Sequence, residues 1–243
     1  FNLGTWSRPV TTSSPEAQRY FDQGLALSYG FNHAQAIASF TEATRLDFTC
    51  AMAHWGIALA YGPNINFPMD STAERPAWES LRRARKLTSE VGMLEGFLIE
   101  ALAKRYADPS DPRRPSRAAL DSAYANARRE VWKRFPNDPD VGALFAEAMM
   151  DLNPWNFWSL DGKAAPGTDE IVATLEDCRF RAVGLNRRAT FDRLTYHYGY
   201  EQLEPPAAAA DPNPLSARAL RLMAERAGVA AVDTALRAND DLL

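Results

Sequence analysis

A repeat constrains this chain more than any other feature. Gln23-Gly24-x-x-Leu27 is followed by Ala36-x-x-x-Phe40-x-x-Ala43, and Trp55-Gly56-x-x-Leu59 is followed by Ala77-x-x-x-Leu81-x-x-Ala84. In each case a small residue lets two helices approach. The next segment then carries apolar residues at i, i+4 and i+7, one stripe of a helix. Such a stripe cannot be buried by one helix pair alone, but stacking pair on pair buries it continuously. The expected fold is all-α, a row of helix pairs with one running core.

Punctuation along the chain sets the predicted elements. Residues 1–14 hold Gly4, Pro9 and a Thr-Thr-Ser-Ser run without apolar period, and read as an extended arm. Ser14-Pro15-Glu16 is a helix start: a capping serine, a proline in the first turn and an early acid. The first pair is predicted over Pro15–Tyr29 and His33–Leu46, with Gly30-Phe31-Asn32 as the turn. The second is predicted over Cys50–Tyr61 and Ala73–Thr88, the third over Ser89–Tyr106 and Pro115–Phe135, and the fourth over Asp140–Leu152 and Thr168–Leu185. Further helices are expected near Thr190–Leu203, Leu215–Ala227 and Val229–Asn239, across a break at Pro205–Pro214. No stretch alternates with period two long enough to be a strand.

Resemblance adds to this reading. The helix-pair pattern resembles the tetratricopeptide (TPR) repeat. The runs Tyr20-Phe-Asp-Gln-Gly-Leu-Ala-Leu-Ser-Tyr-Gly-Phe-Asn-His-Ala-Gln-Ala36 and Cys50-Ala-Met-Ala-His-Trp-Gly-Ile-Ala-Leu-Ala-Tyr-Gly-Pro-Asn-Ile-Asn66 look like a family of bacterial TPR-containing proteins. Glu147-Ala-Met-Met-Asp-Leu-Asn-Pro-Trp-Asn-Phe-Trp158 and Pro166-Gly-Thr-Asp-Glu-Ile171 are similar to the same family. The resemblance covers roughly residues 9–186. It implies an α-α solenoid of stacked TPR-like helix pairs coiled as a right-handed superhelix: arm 1–14, repeat array 15–186 and degenerate helical repeats 187–243. Family members often carry a cysteine where this chain has Ala53, and tend to continue into histidine-rich repeats. Any metal or redox role they suggest is not expected here.

Composition narrows the partners. A net charge of −4 argues against nucleic acid and anionic membrane surfaces, which call for a basic face. No apolar run approaches the roughly 18 residues a membrane span requires. Cys50 and Cys178 read either as two buried thiols or as a disulfide. The start at Phe1 without methionine is read as removal of a leader on export, to the periplasm or the exterior.

Little in the chain points to catalysis. His33, His54 and His197 share no metal spacing, and no phosphate loop or nucleophile turn is present. Asp151-x-Asn153 resembles the start of a calcium loop, but Trp155 stands where the third ligand belongs. No enzyme activity, cofactor or metal is expected.

Two long insertions attract attention instead. Residues 62–72 and 153–167 replace tight turns that need only a few residues. Both fall between the two helices of a unit, so in a stacked array they lie along one edge and face each other across the third unit. Asn64, Asn66 and Phe67 in one, and Trp155, Asn156 and Trp158 in the other, combine aromatic rings with amides. Such a set holds a ligand by stacking and directed hydrogen bonds. The competing expectation is that the tryptophans fold back and plug the core.

The primary functional expectation is a scaffold that binds a protein or peptide partner. A second is a structural subunit polymerising head to tail through its ends, with Trp6 and Val10 of the arm and Leu236 of the last helix as contacts. A third is an accessory subunit holding a small ligand or metal between the insertions, with His54.

Overall fold

The computed structural model describes residues 3 and 6–184, with side chains through 178. Among the described residues are eight α-helices: α1 (Pro15–Tyr29), α2 (His33–Leu46), α3 (Ala51–Ala60), α4 (Glu74–Lys86), α5 (Met93–Leu102), α6 (Arg117–Arg134), α7 (Pro139–Met150) and α8 (Thr168–Gly184). The predicted C-terminal helices, the proposed 187–243 region and Leu236 lie outside the described residues.

Local chemistry sets the helix ends. Ser14 is extended (φ −102°, ψ 112°) and its Oγ accepts from the Ala17 N–H at 3.1 Å, with Pro15 as the first helical residue. Ser116 caps α6 by accepting from the Ala119 N–H at 3.3 Å. Asp138 caps α7, accepting from the N–H groups of Asp140 and Val141 at 3.1 and 3.2 Å, and Pro139 follows it.

The predicted helix Ser89–Tyr106 is divided. Thr88–Glu90 forms a 3-10 turn, Gly92 is extended (ψ 157°), and α5 runs only from Met93 to Leu102 before a second 3-10 turn, Ala103–Arg105. That tighter turn ends on a fully buried arginine, Arg105.

Each helix packs on the next: α1 on α2, α2 on α3, α3 on α4, α5 on α6, α6 on α7 and α7 on α8. Helix α3 also touches α1 and α5. Phe40 of α2 is central to the first three helices. A Cβ on Gly24 of α1 would lie 2.7 Å from its ring, and one on Gly56 of α3 would lie 2.6 Å from it. Both glycines are therefore spacers that admit one phenylalanine between two helices. Helix α5 and the turn after it are tied to α3 by two buried polar anchors. Trp55 Nε1 donates to the Leu98 carbonyl at 3.2 Å, and the Tyr106 hydroxyl donates to the Ala58 carbonyl at 2.6 Å.

The arm folds onto its own chain. Trp6 meets Tyr29 edge-on at 6.1 Å, Val10 packs against the core, and the Val10 N–H donates to Gln18 Oε1 at 2.9 Å. Arg8 reaches across the molecule to the start of α7, donating to Asp138 at 3.0 Å and Asp140 at 2.7 Å. Cys50 and Cys178 are both buried, and neither is in a disulfide. No helix among the described residues is long and apolar enough to cross a membrane.

Candidate functional site: the insertion edge and its buried charges

Helices α3 and α7 are buried on every side. The space between them is filled by charge. Arg105, Arg128 and Tyr124 are each 0 % exposed. Arg105 lies 4.6 Å above the Tyr124 ring; Arg128 lies 5.1 Å from the same ring and 5.5 Å from that of Trp55. Arg128 Nε donates to the Tyr124 hydroxyl at 2.9 Å. Opposite them stand two carboxyls one turn apart, Glu147 of α7 and Asp151, the residue that caps its C-terminal end. Guanidinium groups stacked on aromatic faces, with carboxylates nearby, are the form in which buried charge is tolerable.

Arg105 joins the two insertions at their roots. Its Nη2 donates to the Pro63 carbonyl at 3.0 Å and to Asp151 Oδ2 at 2.5 Å, while its Nε reaches Asp121 at 3.3 Å. Pro63 is the second residue of the first insertion and Asp151 stands just before the second insertion. Arg117 supports the arrangement from α6: it donates to the Arg105 carbonyl and to Asp121 at 3.0 Å.

The first insertion is a compact turn. Asn64 Oδ1 accepts from the Asn66 and Phe67 N–H groups at 3.0 and 3.2 Å, and the Asn64 and Phe67 backbones pair antiparallel. Ile65 is buried, whereas Asn66 and Phe67 face solvent, Phe67 at 70 % exposure. In the second insertion Asn153 Nδ2 donates to the Asn156 carbonyl at 2.6 Å and Asn156 Nδ2 to the Pro154 carbonyl at 3.0 Å. Trp155 sits in the left-handed region (φ 64°) and is 48 % exposed. The ring that plugs the core is Phe157, whose carbonyl accepts from Thr168 Oγ1 at 2.9 Å. Trp158 is half-buried and pairs its backbone with Ala164.

The structure thus brings together the roots of the insertions and sets Phe67, Trp155 and Leu160 outward at their tips. Asn64 is the candidate residue that turns inward. It lines a crevice of about 20 Å³ with Tyr29, His33, Leu59 and Glu147. His54 serves elsewhere: its Nε2 lies 3.1 Å from the Phe48 carbonyl, and burial lowers its pKa. Among the described residues no cluster of three or more His, Cys, Asp and Glu is placed to hold a metal ion.

Burial lifts the pKa of both Glu147 and Asp151; Glu147 raises that of Asp151 further, whereas Arg105, Arg128 and a hydrogen bond with Asp151 lower that of Glu147. Arg105, hydrogen-bonded to Asp151, offsets part of the cost of burying the two carboxyls. The cluster could not be read from charge spacing alone. One signal was present: Glu147 and Asp151 sit at i and i+4 in Val141-Gly-Ala-Leu-Phe-Ala-Glu-Ala-Met-Met-Asp151, otherwise apolar all round, where a solvated acidic face is not available. No protein-family model, no curated protein and no solved structure matches the chain.

Proposed function

We propose that this protein is a non-catalytic scaffold that binds a protein or peptide partner along its insertion edge, and that its helix pairs are TPR-like units of an α-solenoid. One observation carries the reading. Two loops with exposed apolar tips, Phe67 and the Trp155–Leu160 turn, spring from roots fixed by a single buried arginine, Arg105. Exposed apolar groups on a rigid base pay little ordering entropy on contact. The closed interior favours the outside as the binding surface: the remaining crevice between α1, α3 and α7 is too small for a peptide backbone.

The test is site-specific photo-crosslinking in the source cells, with the photoreactive residue at Phe67, at Trp155 and, as control, at Phe48, an exposed ring outside both insertions. The reading expects the same identified partner at the first two positions only, and its loss when Phe67→Ala and Trp155→Ala are combined. Equal recovery from Phe48 would contradict it.

A further inference from the structure

Helices α5 and α6 line an open groove of about 520 Å³. They lie antiparallel. Arg134, at the end of α6, contacts Met93 Sδ at the start of α5 at 3.8 Å, and Arg105, just past α5, reaches Asp121 early in α6. The floor is apolar: Ala101 and Val131 are buried in it, Ala127 is half-buried, and the Phe97 ring stands exposed at one end. Met93, one turn before Phe97, is exposed as well.

The rim carries surplus positive charge. Its carboxylates are taken, Glu100 by Arg85 at 3.0 Å and Glu130 by Lys133 at 2.8 Å. Among the described residues Lys104 and Arg134 pair with no carboxylate, and both are exposed. The Arg134 guanidinium lies 4.7 Å from the Phe97 ring. The two turns from Phe97 to Lys104 therefore set these cations at opposite ends of the floor, about 10 Å apart.

A matching segment lies on the same chain, outside the described residues. In the predicted helix Val229–Asn239, Val229, Val232 and Leu236 recur at i, i+3 and i+7, one apolar stripe. Asp233 and Asp240 border that stripe on one flank, two turns apart at helical spacing. Two acids beside an apolar stripe thus match, in sign and in spacing, two cations beside an apolar floor. The other predicted downstream helices do not match. Leu215–Ala227 sets Arg218, Arg221 and Arg226 against one acid, Glu225, and the acids of Thr190–Leu203, Asp192 and Glu201, are not two turns apart. Helix α8 brings the chain towards the groove, since Cys178 packs against Trp132 of α6, two residues before Arg134. Residues 185–228 then connect the two, and at about 3.3 Å per residue a chain of that length reaches any face of the molecule. We propose that the α5–α6 groove is a docking site for the chain's own segment Val229–Leu243, with Leu236 on the floor, and Asp233 and Asp240 on Lys104 and Arg134.

The experiment is photo-crosslinking within the purified full chain at low micromolar concentration, with benzoylphenylalanine in place of Phe97 and the products mapped by peptide mass spectrometry. Crosslinks within one chain to residues 229–243 are expected, at a yield independent of protein concentration. The yield should fall at least about threefold in Leu236→Asp, which loses the apolar anchor, and in Asp233→Lys with Asp240→Lys, which reverses the charge match. Adding Lys104→Glu and Arg134→Glu to the charge-reversed chain should restore it. Far-ultraviolet circular dichroism and a retained thermal transition establish that each variant is folded. Crosslinks only to other residues, or none, overturn the proposal. Crosslinks that join two chains and grow with concentration overturn it too, and assign the groove to a second copy. An unchanged yield in either segment variant, or no recovery on reversing both sides, also contradicts the docking.

Discussion

Arg105 and Asp151 are 46 residues apart in sequence and meet through a 2.5 Å hydrogen bond with both side chains almost wholly out of water, 1 % and 2 % exposed. The same guanidinium nitrogen holds the Pro63 carbonyl. One side chain from the 3-10 turn after α5 thereby fixes where the insertions after α3 and α7 begin.

Breaking that pair is expected to cost about 3–5 kcal/mol, because Arg105→Met leaves a buried carboxylate without its cation. Arg105→Met with Asp151→Leu removes both charges and should recover most of the loss. A residue of about 1–3 kcal/mol should persist for the Pro63 carbonyl, which still lacks a donor. Urea unfolding of the three variants measures this. A double variant no more stable than the single one contradicts the assignment.

Gly56→Ala tests the packing around Phe40. In an exposed helix this change stabilises by about 1 kcal/mol. Here the new methyl would sit 2.6 Å from the Phe40 ring, so a loss of about 1–3 kcal/mol is expected instead. Phe40→Leu in the same chain should relieve the clash and make the two changes non-additive. Simple additivity of the two losses would show that the helices are not spaced by this ring.

The stability of the fold should depend on pH through Glu147. Its pKa in the folded chain is raised by burial, so the folded state binds this proton more tightly than the unfolded chain. The contribution is fully present below the ordinary carboxylate pKa of about 4.3 and is lost as pH rises through the higher folded value. Glu147→Gln keeps the shape without the titration and should flatten the decline. Unfolding free energies of both proteins across the acid to mildly alkaline range check the sign. Parallel curves would rule this contribution out.

Arg8 fastens the arm to α7. Its guanidinium is 9 % exposed and contacts Asp138, the cap of α7, and Asp140, whose side chain is 2 % exposed. Arg8→Ala should destabilise the chain by about 3 kcal/mol or more, because it leaves two part-buried carboxylates without their cation. A variant with unchanged stability at neutral pH would show that the arm does not hold the fold together.

The helix framework was legible because its signals are local. Ser14-Pro15 set the start of α1, and the predicted spans of α1 and α2 match the structure residue for residue. The spacer glycines were legible in kind, as close approach, but not in partner: only the fold shows that Gly24 and Gly56 both face Phe40. The break around Gly92 was missed because the apolar pattern continues through it. Arg105 was missed because an arginine beside Lys104 near the end of a helix reads as a solvated cation. Its burial depends on Asp151, Asp121 and Tyr124, which arrive from elsewhere in the chain. The insertions were recognised by length. Which of their rings turns inward was not readable: Phe157 fills the core, while Trp155 takes the outer position.

The central claim is that one buried arginine makes a single platform of two insertions. Amide hydrogen exchange on the native protein and on Arg105→Met tests it directly. The reporters are the Phe67 N–H, bonded to the Asn64 carbonyl at 3.1 Å, and the Ala165 N–H, bonded to the Phe157 carbonyl at 2.9 Å. The account predicts that both lose protection together in the variant, while the amides of α1 and α2 keep theirs beyond the overall stability loss. Loss of protection in only one insertion, or in neither, would contradict it.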